Sequence, residues 1–228
     1  MLWVSRTTGV PLKIKWEGAW LNLNTRDVGA SINQCLGTSF MTEGALQRSN
    51  VWFSGWPCSR VANPDVIYSL NHDPARNERY FCRNENSNNI GIDFGDDTTL
   101  KDLEFLESWN DPKTRQTACA FFKAGFKSLA EGQRVLVHCD AGRDRTGTYA
   151  ALATALTAES AGRLDETMLQ AIECDYQKTR SLTPYKFGRM RRFLESIMTE
   201  GGVRAFFMSH CDMTTQELDA LAERMTRR

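Results

Sequence analysis

The sequence predicts an α/β fold with a central, mostly parallel sheet flanked by helices, and three observations predict it. Short β-rich runs bounded by Gly, Pro, Asn or Asp occupy the first hundred residues. Helical spacing takes over from Thr98. Near the middle, one buried strand passes through a glycine-containing turn straight into a helix, the unit from which parallel sheets are built. At 228 residues and 41% hydrophobic content, the chain suits one domain rather than two.

Taken in order, the strand candidates are Val51–Phe53, Val66–Leu70, Arg79–Cys82 and Ile90–Phe94. The polar stretch Asn84–Asn89 between the last two reads as a loop. Leu100, Leu103, Phe105 and Leu106 then share a helical face, which Trp109-Asn-Asp-Pro112 interrupts. A helix follows to about Ala130 with Phe121, Phe122, Phe126 and Leu129 inward. Arg134–His138 is a short buried strand, and Thr146 to about Glu159 an Ala- and Leu-rich helix. Three further helices are expected at about 165–178, 186–199 and 214–226. The last opens with Thr214-x-x-Glu217, a capping box whose side chains satisfy the first orphan N–H groups.

Twenty-eight basic residues balance 28 acidic ones. A nucleic-acid or membrane-surface binder normally shows a basic excess, so neither partner is expected. No apolar run approaches the ~18 residues of a membrane helix. The first residues lack the basic and apolar regions of a secretory signal, which points to the cytoplasm unless a signal has been removed. Seven cysteines lie scattered, without a CxxC pair, and three histidines offer little for a zinc site. In a chain of this length and spacing no disulfide framework is expected. Most of the thiols read as small buried hydrophobes.

The chemistry concentrates in Val137-His-Cys-Asp-Ala-Gly-Arg-Asp-Arg-Thr-Gly147. Five residues separate Cys139 from Arg145, which alone means little: about 0.6 such pairs are expected by chance. Cys174 and Arg180 share the spacing, but Cys174 lies in a helical run without glycine and reads as a helix-face cysteine. Around Cys139, Gly142 permits a tight turn in which successive N–H groups of Asp140, Ala141, Gly142, Arg143 and Asp144 converge on an anion. The helix N-terminus adds its partial positive charge. Arg145 brings a planar fork matched to two phosphate oxygens. In such a setting the thiolate is the reactive species. Thr146 is placed to donate its hydroxyl to the sulfur, and Gly147 to let the helix pack closely.

At these residues the sequence resembles the cysteine-dependent phosphatases, whose signature is His-Cys-x5-Arg followed by Ser or Thr. Asn24-Thr-Arg-Asp-Val-Gly29 and Gly44-Ala-Leu-Gln-Arg-Ser49 are similar to the motifs that open the bacterial tyrosine/lipid phosphatases with an Ala-Gly-Lys-Asp-Arg-Thr-Gly loop. Val66–Asn71, Asp175-Tyr176, Gly202–Phe207 and Gln216–Leu221 resemble later elements in the correct order. The resemblance covers 20–226 and leaves 1–19 as an extension. It departs at Arg143, where the family has Lys, and at Thr25, where it has Phe. Asp140 stands where some inositol-lipid phosphatases carry Lys, which weakens the case for a highly anionic head group.

The resemblance implies a phosphatase-like domain that hydrolyses a phosphate monoester, phosphotyrosine in a protein first and a phosphoinositide as the alternative. Dual specificity and a non-catalytic phosphate-binding module stay open, as does the oligomeric state. Cys139 would be the nucleophile and Arg145 the phosphate clamp. No metal or cofactor is implied, because the loop itself neutralises the phosphate. Asp111, in a sequence resembling Trp-Pro-Asp, and Asp144, inside the loop, compete as general acid. Each has a structural alternative, a helix cap for Asp111 and a loop brace for Asp144. Asp96 and Asp97 are weaker candidates. His138 is expected to order the loop, and Arg26, Asp27 and Arg48 to form an ion-pair network.

Overall fold

The computed structural model describes residues 24–51, 56–70, 82, 100, 102–179 and 183–227. Four strands make one sheet: β1 (Arg26–Asp27), β2 (Leu46–Asn50), β3 (Val66–Ser69) and β4 (Val135–Cys139). Their order is β1-β2-β4-β3. β4 runs parallel to both neighbours, with Cys139 opposite Asn50 and His138 opposite Ser69, while β1 is antiparallel to β2. The mostly parallel sheet expected from the sequence is therefore present.

Seven α-helices occupy the described residues: α1 (Val28–Leu36), α2 (Pro112–Ala130), α3 (Asp144–Ser160), α4 (Glu166–Gln177), α5 (Arg189–Thr199), α6 (Val203–Cys211) and α7 (Thr215–Met225). The side-chain period of a strand divides β4 between two cores. Val135, Val137 and Cys139 join the large core beneath α2 and α3. Leu136 packs on the other face with Ile67, Cys58, Val61 and Cys82. Residues 146–158 of α3 are all buried, so this helix runs through the protein interior. Phe121, Phe122 and Phe126 are buried as expected, and Phe122 stacks on Tyr149 of α3 at 4.9 Å between centroids.

Several expectations are corrected. The apolar spacing over Leu100–Leu106 does not make an α-helix. Residues 102–104 form a turn, and Leu106–Asn110 a 3-10 helix that buries Trp109. Helix α1 and strands β1 and β2 are not among the expected elements, and α6 is implied only by the resemblance of Gly202–Phe207 to a terminal helix. The strand candidate at Val51–Phe53 begins with a 3-10 residue at Val51, and its remainder lies outside the described residues. So do Ile90–Phe94, the Asn84–Asn89 loop, Asp96, Asp97 and all of Arg79–Cys82 except Cys82.

The cysteines are the largest correction. Cys35–Cys174 joins α1 to α4, Cys119–Cys211 joins α2 to α6, and Cys58–Cys82 closes the second core. Cys139 is the free cysteine. The partners lie 139, 92 and 24 residues apart. Folding brings them together, which spacing along the chain cannot reveal.

Candidate active site

Strand β4 delivers Cys139 to the edge of the loop, and α3 begins at Asp144. Gly142 makes the turn possible for two reasons. Its φ is +61°, and a Cβ there would lie 2.5 Å from Ser49 O and 2.6 Å from Asn50 N. Only glycine fits both the conformation and the space. Gly147 is required by space alone. A Cβ would meet Tyr176 at 2.9 Å, so its absence sets the distance between α3 and α4.

The loop carbonyls are all held on its outer side. Asp140 O accepts from Val51 N at 3.1 Å and Ala141 O from Asn24 Nδ2 at 2.7 Å. Arg48 Nη2 donates to Gly142 O at 3.0 Å and to Arg143 O at 3.3 Å. A peptide group whose oxygen is pulled outward turns its N–H the other way. The N–H groups of Ala141, Gly142 and Asp144 make no backbone hydrogen bond among the described residues. The start of α3 also carries no side-chain cap. Amides without a backbone partner and an uncapped helix end are the two features from which anion sites are built.

What holds the carbonyls is itself braced. Arg48 is fully buried, and its Nη1 donates to Asp175 Oδ2 at 2.6 Å. Arg26 Nε meets the other oxygen of Asp175 at 2.7 Å, and its Nη1 reaches Asn24 O at 3.2 Å. Burial, together with the nearby Arg26, lowers the Arg48 guanidinium to about 10, against the opposing pull of Asp175. It stays charged at neutral pH. Burial alone would raise Asp175, but the two arginines outweigh it and hold the carboxylate well below its ordinary range. Arg26 and Arg48 thus form the expected ion-pair network, with Asp175 as the shared anion. Asp27 stands apart from it and caps α1 through Ala30 N, also accepting from Gly44 N and Gln47.

On the opposite side, Asp144 accepts from Lys186 Nζ at 2.5 Å, Tyr176 Oη at 2.6 Å and Arg143 Nε at 2.9 Å. Burial pushes its carboxyl up, yet these three donors prevail and keep it below the ordinary value. Arg143 thus directs its Nε to the loop's own aspartate. Arg145 Nη1 donates to Leu70 O at 2.7 Å, which ties the guanidinium to the end of β3 beside the loop. Asp111 is exposed and caps α2 by accepting from Thr114 N at 2.7 Å, which lowers its carboxyl. Both structural alternatives considered for the two aspartates are thus observed. His138 and Thr146 are fully buried next to Cys139 and Arg145. The Thr146 hydroxyl makes no hydrogen bond among the described residues, so its expected bond to sulfur is not formed in this structure.

Sequence reading missed Lys186 and Glu104, and it marked Asn24 only as the start of a family-like motif, without its bond to the loop. Lys186 lies in a short 3-10 turn with nothing to mark it, and its role follows from the ion pair alone. Glu104 is buried, bonds Arg189 at 2.8 Å and leaves Oε2 without a partner among the described residues. Burial, with repulsion from Asp144, raises its carboxyl.

A search of curated proteins finds no match to this chain. Residues 95–182, which span α2, β4, the Cys139 loop, α3 and α4, match the tyrosine phosphatase family. The match supports phosphatase activity and a phosphorylated substrate, and it is consistent with a member of the cysteine-dependent tyrosine phosphatase superfamily.

Proposed function

We propose that this protein is a cysteine-dependent phosphatase that hydrolyses phosphate monoesters, with phosphotyrosine in a protein as the preferred substrate. The observation that carries the reading is the outward tethering of four successive loop carbonyls around the free Cys139. The substrate phosphate seats its equatorial oxygens on the loop amides and the Arg145 fork. Cys139 Sγ attacks phosphorus in line, the bond to the leaving oxygen breaks, and that oxygen takes a proton from a general acid. Water then attacks the cysteinyl-phosphate, releasing inorganic phosphate and restoring the thiolate.

Three donors keep Asp144 anionic, which supports it as a brace of the loop rather than the acid. Asp111 is taken as the proton donor ahead of the weaker candidates Asp96 and Asp97, and it must release Thr114 N to act. A redox relay at Cys139 would need a second thiol, and the other described cysteines are all paired. The three disulfides also favour an oxidising compartment over the cytoplasm that the sequence suggested.

The test is hydrolysis of a chromogenic aryl phosphate by the full chain without added metal. Wild type should turn over and Cys139→Ser should not; equal rates in the two would overturn the assignment. On a poor leaving group, Asp111→Asn should slow turnover more than Asp144→Asn. The reverse order would exchange their roles.

A further inference from the structure

We infer that the Cys35–Cys174 disulfide is a redox-sensitive positioning element for the phosphate loop. The inference rests on the proposed phosphate site. Three consecutive residues of α4 carry the argument. Cys174 is bonded to α1, Asp175 receives both brace arginines, and Tyr176 donates to Asp144 while packing where Gly147 leaves room. One short stretch of helix therefore reaches both sides of the loop, directly through Tyr176 and by way of Arg48 from Asp175.

The other end of the bond is equally placed. Cys35 lies in the last turn of α1, and Arg26 immediately precedes the cap of that helix at Asp27. Pulling α1 onto α4 sets the separation between Arg26 and Asp175, which meet at 2.7 Å. Lys178 completes the seam by donating to Ser31 Oγ at 3.0 Å and Gln34 Oε1 at 2.8 Å. The disulfide closes a segment that contains β2, β4 and the loop itself.

Accessibility separates this bond from the others. Cys58, Cys82, Cys119 and Cys211 are all buried, whereas Cys35 and Cys174 are both half-buried. A thiolate must reach a disulfide sulfur to exchange with it. A small dithiol therefore has access to Cys35–Cys174 ahead of the other two. One dithiol attacks, passes through a mixed disulfide and leaves as its cyclic disulfide. Its two electrons and two protons end on the Cys35 and Cys174 thiols. With the bond open, α1 separates more readily from α4, Asp175 is less tightly set, and Arg48 holds the loop carbonyls less firmly.

The experiment compares two paired variants of the full chain, Cys35→Ala/Cys174→Ala and Cys119→Ala/Cys211→Ala, below the melting temperature of both. Binding of inorganic phosphate is read by calorimetry and turnover by aryl phosphate hydrolysis. Phosphate affinity and kcat/KM should fall about fivefold in the first variant and stay within twofold of wild type in the second. Equal effects in both, or none in the first, would overturn the inference. If the first variant does not fold, Cys139→Ser protein is titrated with dithiothreitol, so that only disulfides react. Phosphate affinity should then fall as alkylation of Cys35 and Cys174 appears, before that of the buried cysteines. Affinity unchanged through that step would contradict the inference. Phosphate binding without turnover in wild type would defeat the phosphatase reading and leave this one standing.

Discussion

Cys139 and Cys174 open the same six-residue interval to an arginine, and the molecule uses them in opposite ways. Cys139 ends a strand, is followed by a glycine at positive φ, and faces amides whose carbonyls are tied back. Cys174 sits in an unbroken helix, where each N–H is already committed to the preceding turn. It is oxidised to a disulfide, and Arg180 lies outside the described residues. Spacing is thus the least informative part of the Cys-x5-Arg pattern. Backbone geometry between the two residues decides whether amides are available to a phosphate.

The comparison also shows a division of labour. The residues after Cys174 brace the loop after Cys139, through Asp175 and Arg48 on one side and Tyr176 and Asp144 on the other. Replacing Arg48 with Met is the strongest way to sharpen it. The substitution leaves Asp175 with one arginine and frees two loop carbonyls. Stability should fall by about 3–5 kcal/mol in urea unfolding, as expected when one partner of a buried pair is lost. The kcat/KM for aryl phosphate should drop about a hundredfold through misplacement of the loop. A fully active Arg48→Met protein would break the link between the two regions.

A smaller effect is expected in the pH dependence of stability. Asp175 and Asp144 both have carboxyls held below their unfolded values. In the window between folded and unfolded values the unfolded chain binds more protons, so stability rises with pH there. Their contribution is complete above the ordinary aspartate value of ~3.9 and is lost as pH falls through the lowered folded values. Glu104 runs the other way, since its raised carboxyl contributes below the ordinary glutamate value and loses that contribution as pH rises through the folded value. Urea unfolding between pH 2.5 and 5, at intervals of about half a unit, should show a shallower acid limb in Asp175→Asn than in wild type. Identical limbs would remove Asp175 from the account.

The legible parts of the sequence were those where local chemistry and fold agree. The strand–loop–helix unit could be read because Gly142 and Gly147 stand where the backbone demands glycine. Helix α7 announced itself through Thr214 and Glu217, and both halves of that capping box are formed. Helix α1 was hidden because Val-Gly-Ala-Ser-Ile-Asn-Gln-Cys-Leu contains weak helix formers. Its support comes from Asp27 at its start and from Asn33, whose side chain serves Phe40 N, Met41 N and Met41 O. Strand β2 was hidden because Leu-Gln-Arg-Ser-Asn does not alternate; it is buried throughout, with Arg48 committed to the brace. Helix α6 starts after two glycines and takes its N-terminal acceptor from Glu159, far away along the chain. For β2 and α6 a distant residue, Asp175 or Glu159, supplies what the local sequence lacks.

Direct observation of the covalent intermediate tests the central claim that Cys139 is set apart by its loop. Wild-type protein would be mixed with aryl phosphate, quenched in acid within the first turnover, digested and examined by mass spectrometry. The account expects one phosphoryl group on the peptide bearing Cys139, absent from Cys139→Ser and from every other cysteine peptide. Rapid turnover with no phosphoryl group on Cys139 at any quench time, or a phosphoryl group on another residue, would contradict it.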